Sequence, residues 1–447
     1  MFVLYFAEIV VDMKTRILSI QPKRRIVMIE QIGRKIKVQM HKFSGELSAG
    51  LGKVSSRFVE EMLFGISASG SVRLSSVART LDEPISMHDT HKRLSINLAD
   101  KNIRREISAK TLEMGAKRIN KDSLLIVDPS DLTKKYAKKM EYLADVRDGS
   151  EQNIARGYWL CEVMGAEVGS SEITPLAQTL WSQEAPDYVS ENHEVLSIVD
   201  KTLAATDYKG ILVYDRGGDR RVLYEKWAGN PLIRFIIRQR GDRHLLHKGK
   251  AKNTLQLAEN CKTPYASTII KEKDGKEKVH HIQFGFVPVR LPEHPERPLW
   301  LVVVKGYGKT PLMLLTTEPM RKNRKTLWWI VEAYLTRWKI EETIRFIKQS
   351  YNFEDVRVMT YGRLQNMAAI TLAVGYFAAV WLGQKAKLEI LAMHAMEASK
   401  RIFGVPNFRY YALADGIRVI LTKVGNGILD YKINIDLPIP QFPLFDP

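Results

Sequence analysis

Asp128 and Asp215 each close a run of four apolar residues, LLIV at 124–127 and ILVY at 211–214. Such runs read as buried strands, and a carboxylate at the C-terminal end of a buried strand stands where open α/β sheets place their ligand sites. If the two strands are neighbours, the carboxylates face each other, and like charges that close are tolerated when a divalent cation neutralises them. Each aspartate by itself also reads as an ordinary turn or helix cap.

A third candidate acid lies far downstream, in the segment YLTRWKIEETIRFIK that carries Tyr334, Arg337, Glu341 and Lys348. At about 100° per helical residue these four positions fall within an arc of roughly 60°, with Arg345 beside them. Leu335, Ile344 and Ile347 lie elsewhere on the helix, so apolar packing does not dictate the polar stripe. A carboxylate flanked by cations suits phosphate chemistry: Glu341 to ligate metal, Arg337, Arg345 and Lys348 to hold a nucleic-acid strand. The competing reading is a solvated face on which Arg337 and Glu341 form an i,i+4 pair in the less favourable orientation.

The spacing Tyr-x2-Arg-x3-Glu-x6-Lys resembles the signature of the insertion-sequence-four family of bacterial DDE transposases, with every interval kept. IVDPSDLTKKYAKKME looks like that family's first-aspartate strand and VYDRGGDRR like its second-aspartate element, and the resemblance spans about Ser71 to Arg401. It implies a ribonuclease-H-like mixed α/β sheet interrupted by an all-β insertion, with an N-terminal helical DNA-binding domain. It further implies that Asp128, Asp215 and Glu341 ligate two Mg2+ ions, for which Mn2+ can substitute. Tyr334, Arg337 and Lys348 would contact the transposon-end backbone, and Arg216 would lie beside the metals.

The implied activity is cut-and-paste transposition, hydrolysis at the terminal inverted repeats followed by transfer of the 3′-hydroxyl into target DNA, by a homodimer that pairs two ends. Several members pass through a DNA hairpin in which a flipped base stacks on a tryptophan of the β insertion. Here Leu312 stands at that position and Trp300 is the nearest aromatic alternative. Leucine offers no π face, so the resemblance does not carry the hairpin step over. A metal-dependent nuclease with the same site, and a domesticated DNA-binding protein that keeps only the helical domain, remain as alternatives.

The elements that would position these residues follow from period and punctuation. Residues 1–40 are basic, and RRIVMIEQIGRKIKVQM is strand-like in places, which suggests an extension outside the fold. From 41 to 118 the pattern is helical. VRLSSVARTLDEPISMHDTHKRLSINL holds two short amphipathic runs broken at Asp82, Glu83 and Pro84, as in a helix-turn-helix or an ordinary helical hairpin. A second helix over Ser86 to Leu98 would present His91, Lys92 and Arg93 to a DNA groove. Residues 119–240 alternate strand and helix patterns, the first part of the core.

Residues 241–320 read as the β insertion, and long helices over Thr326–Ser350 and Asn366 to about Arg401 make 321–401 the second part of the core. Residues 402–447 end in an extended, proline-rich tail. The apolar run from Met367 to Gly383 is short for a membrane span and reads as a buried helix.

The formal charge of +18 over 447 residues, with clusters of Lys and Arg along the chain, points to a polyanionic partner, DNA. Two cysteines, Cys161 and Cys261, lack any zinc-ligand spacing and suit a reducing compartment. Glu8 and Asp12 interrupt the apolar start where a signal peptide would be unbroken, so the expected location is the bacterial cytoplasm, associated with the nucleoid.

Overall fold

The computed structural model describes residues 22–391 and 409–428 apart from 136, 150, 152, 171, 274–275, 384–385 and 426. Within its helices and strands, the side chains of 22–25, 271–278, 339–348 and 409–411 fall outside that description. The expected proline-rich tail, the first 21 residues and the helix end near Arg401 lie outside the described residues as well.

The first element among the described residues is helix α1 (Pro22–Leu47), where strand character was expected. The reason is period: Ile29, Ile32, Ile36, Met40, Phe43 and Leu47 are all buried, at intervals of three and four, so one apolar stripe outweighs the β-branched composition. Pro22 at the first helical position supplies no hydrogen where none is needed. The stripe packs against α2 (Lys53–Ser69) and a C-terminal helix, Arg409–Val424, so residues 22–40 belong to the fold and the expected boundary falls inside a helix. Gly33 is where α1 crosses the C-terminal helix, since a Cβ there would stand 2.4 Å from Val424 Cγ2.

Helices α3 (Leu74–Leu81) and α4 (Met87–Asn97) form the expected pair. The first ends with Asp82 in the left-handed region, φ 48°, two residues before Pro84. The second starts where Ser86 Oγ accepts from Asp89 N at 3.1 Å. Helix α5 (Asn102–Ala116) leads into the sheet.

The sheet has ten strands in the order β2-β3-β1-β5-β6-β12-β11-β10-β9, with β4 also pairing β3. They are β1 (Leu124–Thr133), β2 (Ala144–Arg147), β3 (Ile154–Ala166), β4 (Ile173–Trp181), β5 (Ile211–Tyr214), β6 (Phe235–Arg238), β9 (Tyr265–Lys273), β10 (Lys276–Val289), β11 (Leu299–Lys305) and β12 (Leu312–Thr316). Strands β1, β5 and β6 run parallel and the other pairs antiparallel, the mixed sheet of a ribonuclease-H-like core. Helix α6 (Glu191–Ala205), after β2–β4, leads into β5, and helix α7 (Arg221–Gly229) connects β5 to β6.

The β insertion is joined to this core. Strand β12 pairs with β6 (Leu314 with Arg238, Leu315 with Ile237, Thr316 with Ile236), so the insertion strands continue the core sheet. It also carries a separate ribbon, β7 (His244–His247) with β8 (Lys250–Asn253), and a short helix α8 (Thr254–Glu259). Local composition marks strands but not their partners, so this continuity was hidden in the sequence.

After β12, helix α9 (Arg324–Ser350) begins at Asn323, whose side chain accepts from Thr326 N at 2.8 Å. It lies on one face of the sheet, which also carries α10 (Tyr361–Tyr376). The stretch Tyr361–Trp381 is the one described helix long and apolar enough to cross a membrane, and 83% of its window is buried in this core.

Candidate active site

Strand pairing brings the two aspartates together. Leu124, Leu125 and Ile126 of β1 pair with Ile211, Leu212 and Val213 of β5, so Asp128 and Asp215 each lie two residues beyond the last parallel pair. Side chains alternate faces along a strand. Leu124, Ile126, Ile211 and Val213 face the core beneath α9 with Leu327, Ile330, Val331 and Tyr334. Leu125, Val127, Leu212 and Tyr214 face the opposite core. By that alternation Asp128 and Asp215 both sit on the α9 side.

Asp215 does follow the end of its strand, but β1 runs on past Asp128 to Thr133, because β3 pairs with all ten of its residues. Asp128 marks the end of the parallel pairing, not of the strand.

Asp215 also acts as a cap: its Oδ1 accepts from Gly217 N at 2.7 Å at the start of the 3-10 turn Arg216–Gly218. That bond fixes the carboxylate's direction. Arg216 is exposed at the rim beside it.

Helix α9 supplies the cation. Arg337 is 3% exposed, and its Nη1 stands 3.9 Å from Asp128 Oδ1. The guanidinium carbon lies 5.3 Å from the centre of the Tyr334 ring, and Tyr334 is fully buried. Burial raises the Tyr334 hydroxyl pKa; Arg337 and Arg238 oppose that rise and Asp215 adds to it, so Asp215 is within electrostatic reach of this helix as well. The Tyr334–Arg337 part of the stripe therefore faces the sheet, which overturns the solvated-face reading for those two positions. In this structure Arg337 meets Asp128 and Tyr334 meets the guanidinium of Arg337.

Position 341 follows Arg337 by four residues on the same continuous helix, about 6 Å along its axis. The side chains of Glu341, Arg345 and Lys348 lie outside the described residues. Among the described residues no three acids already stand close enough to share one ion. The donor set nonetheless fits a hard divalent cation: two carboxylates side by side on neighbouring strands, with a third one turn beyond their arginine.

Residues that sequence reasoning passed over also converge here. Glu162 is 1% exposed and pairs directly with Asp128 across β3 and β1; the apolar strand GYWLCEVMGA hid it, although an acid inside such a strand is itself a signal. From α9 an aromatic file leads toward the insertion: Tyr334 meets Trp338 edge-on at 5.6 Å, Trp338 stacks on Tyr307 at 5.1 Å, and Tyr307 lies 5.0 Å from His280. Leu312, the residue at the stacking position, is 4% exposed and belongs to the core.

In the helical domain Lys92 is exposed, but Arg93 is not available in the same way. Its Nη1 donates to Glu61 at 2.6 Å and its Nη2 to Glu83 at 2.7 Å, a clamp between α2, α4 and the turn that joins α3 to α4.

Residues 121–375, more than half of the chain, match the family described as Transposase DDE domain. Among solved structures, the chain is similar to a piggyBac transposase synaptic complex with hairpin DNA, determined by cryo-electron microscopy, at 12% identity and a TM-score of 0.41, covering 88% of this chain and 85% of that one. No curated protein matches. The matched segment contains the aspartate pair and the helix that carries Arg337 and Glu341; the chain belongs to the transposase DDE domain family, whose members work on DNA with divalent metal ions.

Proposed function

We propose that this transposase is of the insertion-sequence-four kind and that Asp128, Asp215 and Glu341 are its metal ligands. The observation that carries the reading is the placement of Asp128 and Asp215 on one face, beneath the helix with the Tyr-Arg-Glu-Lys spacing and with Arg337 against Asp128.

When bound, two Mg2+ ions, or Mn2+ in their place, supply the activation of the attacking hydroxyl and the neutralisation of the leaving oxygen. The chain's own residues set the stage. The bond from Gly217 N orients Asp215, and Arg337 holds Asp128 in place against carboxylate repulsion. Arg216 at the rim, with Arg345 and Lys348 further along α9, contacts the phosphates of the strand being cut. Tyr334 supports Arg337 from below through its ring. The helical segment 41–118 binds the terminal inverted repeats, with Lys92 on the exposed side of α4, and a homodimer pairs two ends before the 3′-hydroxyl attacks target DNA in the nucleoid.

The test is Mg2+-dependent nicking of a labelled transposon end, with gel-shift binding measured in parallel. Asp128→Ala, Asp215→Ala and Glu341→Ala should each abolish nicking and leave end binding largely intact. Wild-type cleavage by any of the three refutes the assignment. A nuclease reading predicts nicking without joining of the end to a target plasmid, so the joined product separates the two.

A further inference from the structure

We infer that Lys134 is a positioning residue of the divalent-cation site: it ties the far end of α9 to the strand that carries Asp128, and so sets where position 341 stands. The inference rests on the metal-site reading above and deepens it. Lys134 directly follows β1 and is 4% exposed. Its backbone N donates to Arg156 O of β3 at 2.7 Å, which fixes its own place at the end of the strand. Its Nζ crosses to the turn that follows α9 and donates to the Phe353, Glu354 and Val356 carbonyls at 3.4, 2.5 and 3.2 Å.

The β1 segment thus holds α9 at two points, through Asp128 to Arg337 and through Lys134 to the turn at 353–356. From Asp128 to Lys134 the strand covers about 20 Å, at roughly 3.3 Å per residue. From Arg337 to Ser350 the helix covers about 20 Å as well, at roughly 1.5 Å per residue. Strand and helix therefore run side by side with matched lengths, and position 341 lies between the two ties. A helix pinned at one point can pivot over a sheet, whereas a second tie fixes its direction. The turn is also fastened from the other side: Val72 N donates to Tyr351 O at 3.0 Å, Asn352 Nδ2 to Gly70 O at 3.2 Å, and Arg73 Nη2 to Asp355 Oδ2 at 2.7 Å. Those bonds join it to the segment that enters α3, and Lys134 joins it to the sheet. Burial pushes the Lys134 pKa down to about 7, against the pull of Glu354 and Asp355, so the charge itself opposes folding at neutral pH. What the lysine supplies is a directed tie to three carbonyls, which an apolar side chain of the same length lacks.

The experiment is Mn2+ titration of the full chain by calorimetry, with gel-shift binding of a transposon end and Mg2+-dependent nicking alongside. Lys134→Met keeps the length and removes the donors. A misplacement of about 1 Å can cost about 100-fold in rate, so nicking at saturating Mg2+ should slow by about 10–100-fold, with end binding unchanged. Mn2+ affinity should fall by about tenfold. In a Glu341→Ala background Lys134→Met should cause no further loss of Mn2+ affinity, because the ligand it positions is gone. Lys135→Met, at the exposed neighbouring position, should leave Mn2+ affinity unchanged. If Lys134→Met does not fold, Lys134→Gln, which retains a donor but not the reach, should fold and show the same pattern. Wild-type Mn2+ affinity and nicking rate in a folded Lys134 variant overturn the inference, and so does an equal loss in the wild-type and Glu341→Ala backgrounds, which marks a merely structural role. Failure of the wild-type chain to bind Mn2+, or wild-type affinity in Glu341→Ala, overturns the underlying site reading instead.

Discussion

Replacing Arg337 with methionine tests how the acids are held together. The guanidinium is 3% exposed and its Nη1 lies 3.9 Å from Asp128 Oδ1, whose side chain is 17% exposed. At an effective dielectric of about 20 that separation corresponds to an attraction of roughly 4 kcal/mol. Methionine regains the arginine's desolvation cost and fills much of its length, so the net loss should be smaller, about 1–3 kcal/mol. Urea unfolding in EDTA should show this fall, and Arg337→Met combined with Asp128→Asn should lose less than the sum of the two single changes.

The sign of a further effect follows from charge. Saturating Mn2+ supplies the positive charge that Arg337 no longer does, so the stability gap between wild type and Arg337→Met should narrow in its presence. An Arg337→Met protein as stable as wild type in EDTA, or strict additivity with Asp128→Asn, would refute the claim that Arg337 holds the aspartate. A gap that Mn2+ leaves unchanged would refute the link between that contact and the metal site.

Lys134 offers a pH test: its Nζ donates to the Phe353, Glu354 and Val356 carbonyls, and burial pushes its pKa down to about 7. The unfolded chain therefore holds more protons between pH 7 and about 10.5, so stability should rise with pH across that window by a few kcal/mol, with a slope of at most about 1.4 kcal/mol for each step of one in pH. Denaturant midpoints at pH 7, 8.5 and 10 should show the rise, and Lys134→Met should flatten it; an unchanged slope contradicts the argument. Asp219 and Asp131 flank the proposed metal ligands in sequence but should differ: Asp219 is 7% exposed and accepts from Arg240 N and Arg243 Nε, so Asp219→Ala should lower the melting temperature by several degrees, whereas Asp131→Ala, which loses a 3.2 Å bond from Gly149 N, should fold and nick nearly normally. DNA affinity should fall steeply with salt, because the charge of +18 acts through phosphates; a flat log–log plot would contradict a backbone-dominated interface.

What the sequence disclosed was governed by the range of the interactions involved. Asp128 and Asp215 were legible because each ends an apolar tetrad, and the two tetrads pair in the register that such runs favour. The breaks around Pro84 and the start of the long helix were legible because capping is local, as Ser86 and Asn323 show. Glu162 was not, since its meaning comes from Asp128 across the strand, 34 positions away in the chain. Residues 22–40 were misread where β-branched content competed with a helical period that only the packing of Ile29, Ile32 and Ile36 makes evident. The burial of Tyr334 and Arg337 was likewise hidden, because a polar stripe looks the same in sequence whether it faces water or a cluster of acids.

The union of β6 with β12 bears on how such a site can move. Backbone ladder bonds join the insertion to the core, and Arg234 adds a two-pronged contact to Glu318, Nε at 2.8 Å and Nη2 at 2.6 Å, just beyond β12. Only residues 317–323 then separate that strand from the helix that carries Arg337 and Glu341. A hinge between insertion and sheet would have to break that ladder, so the insertion is a fixed wall rather than a swinging gate. Adjustment of the site to an incoming strand is left to small slides of the helix over the sheet, a shear of side chains against a rigid floor.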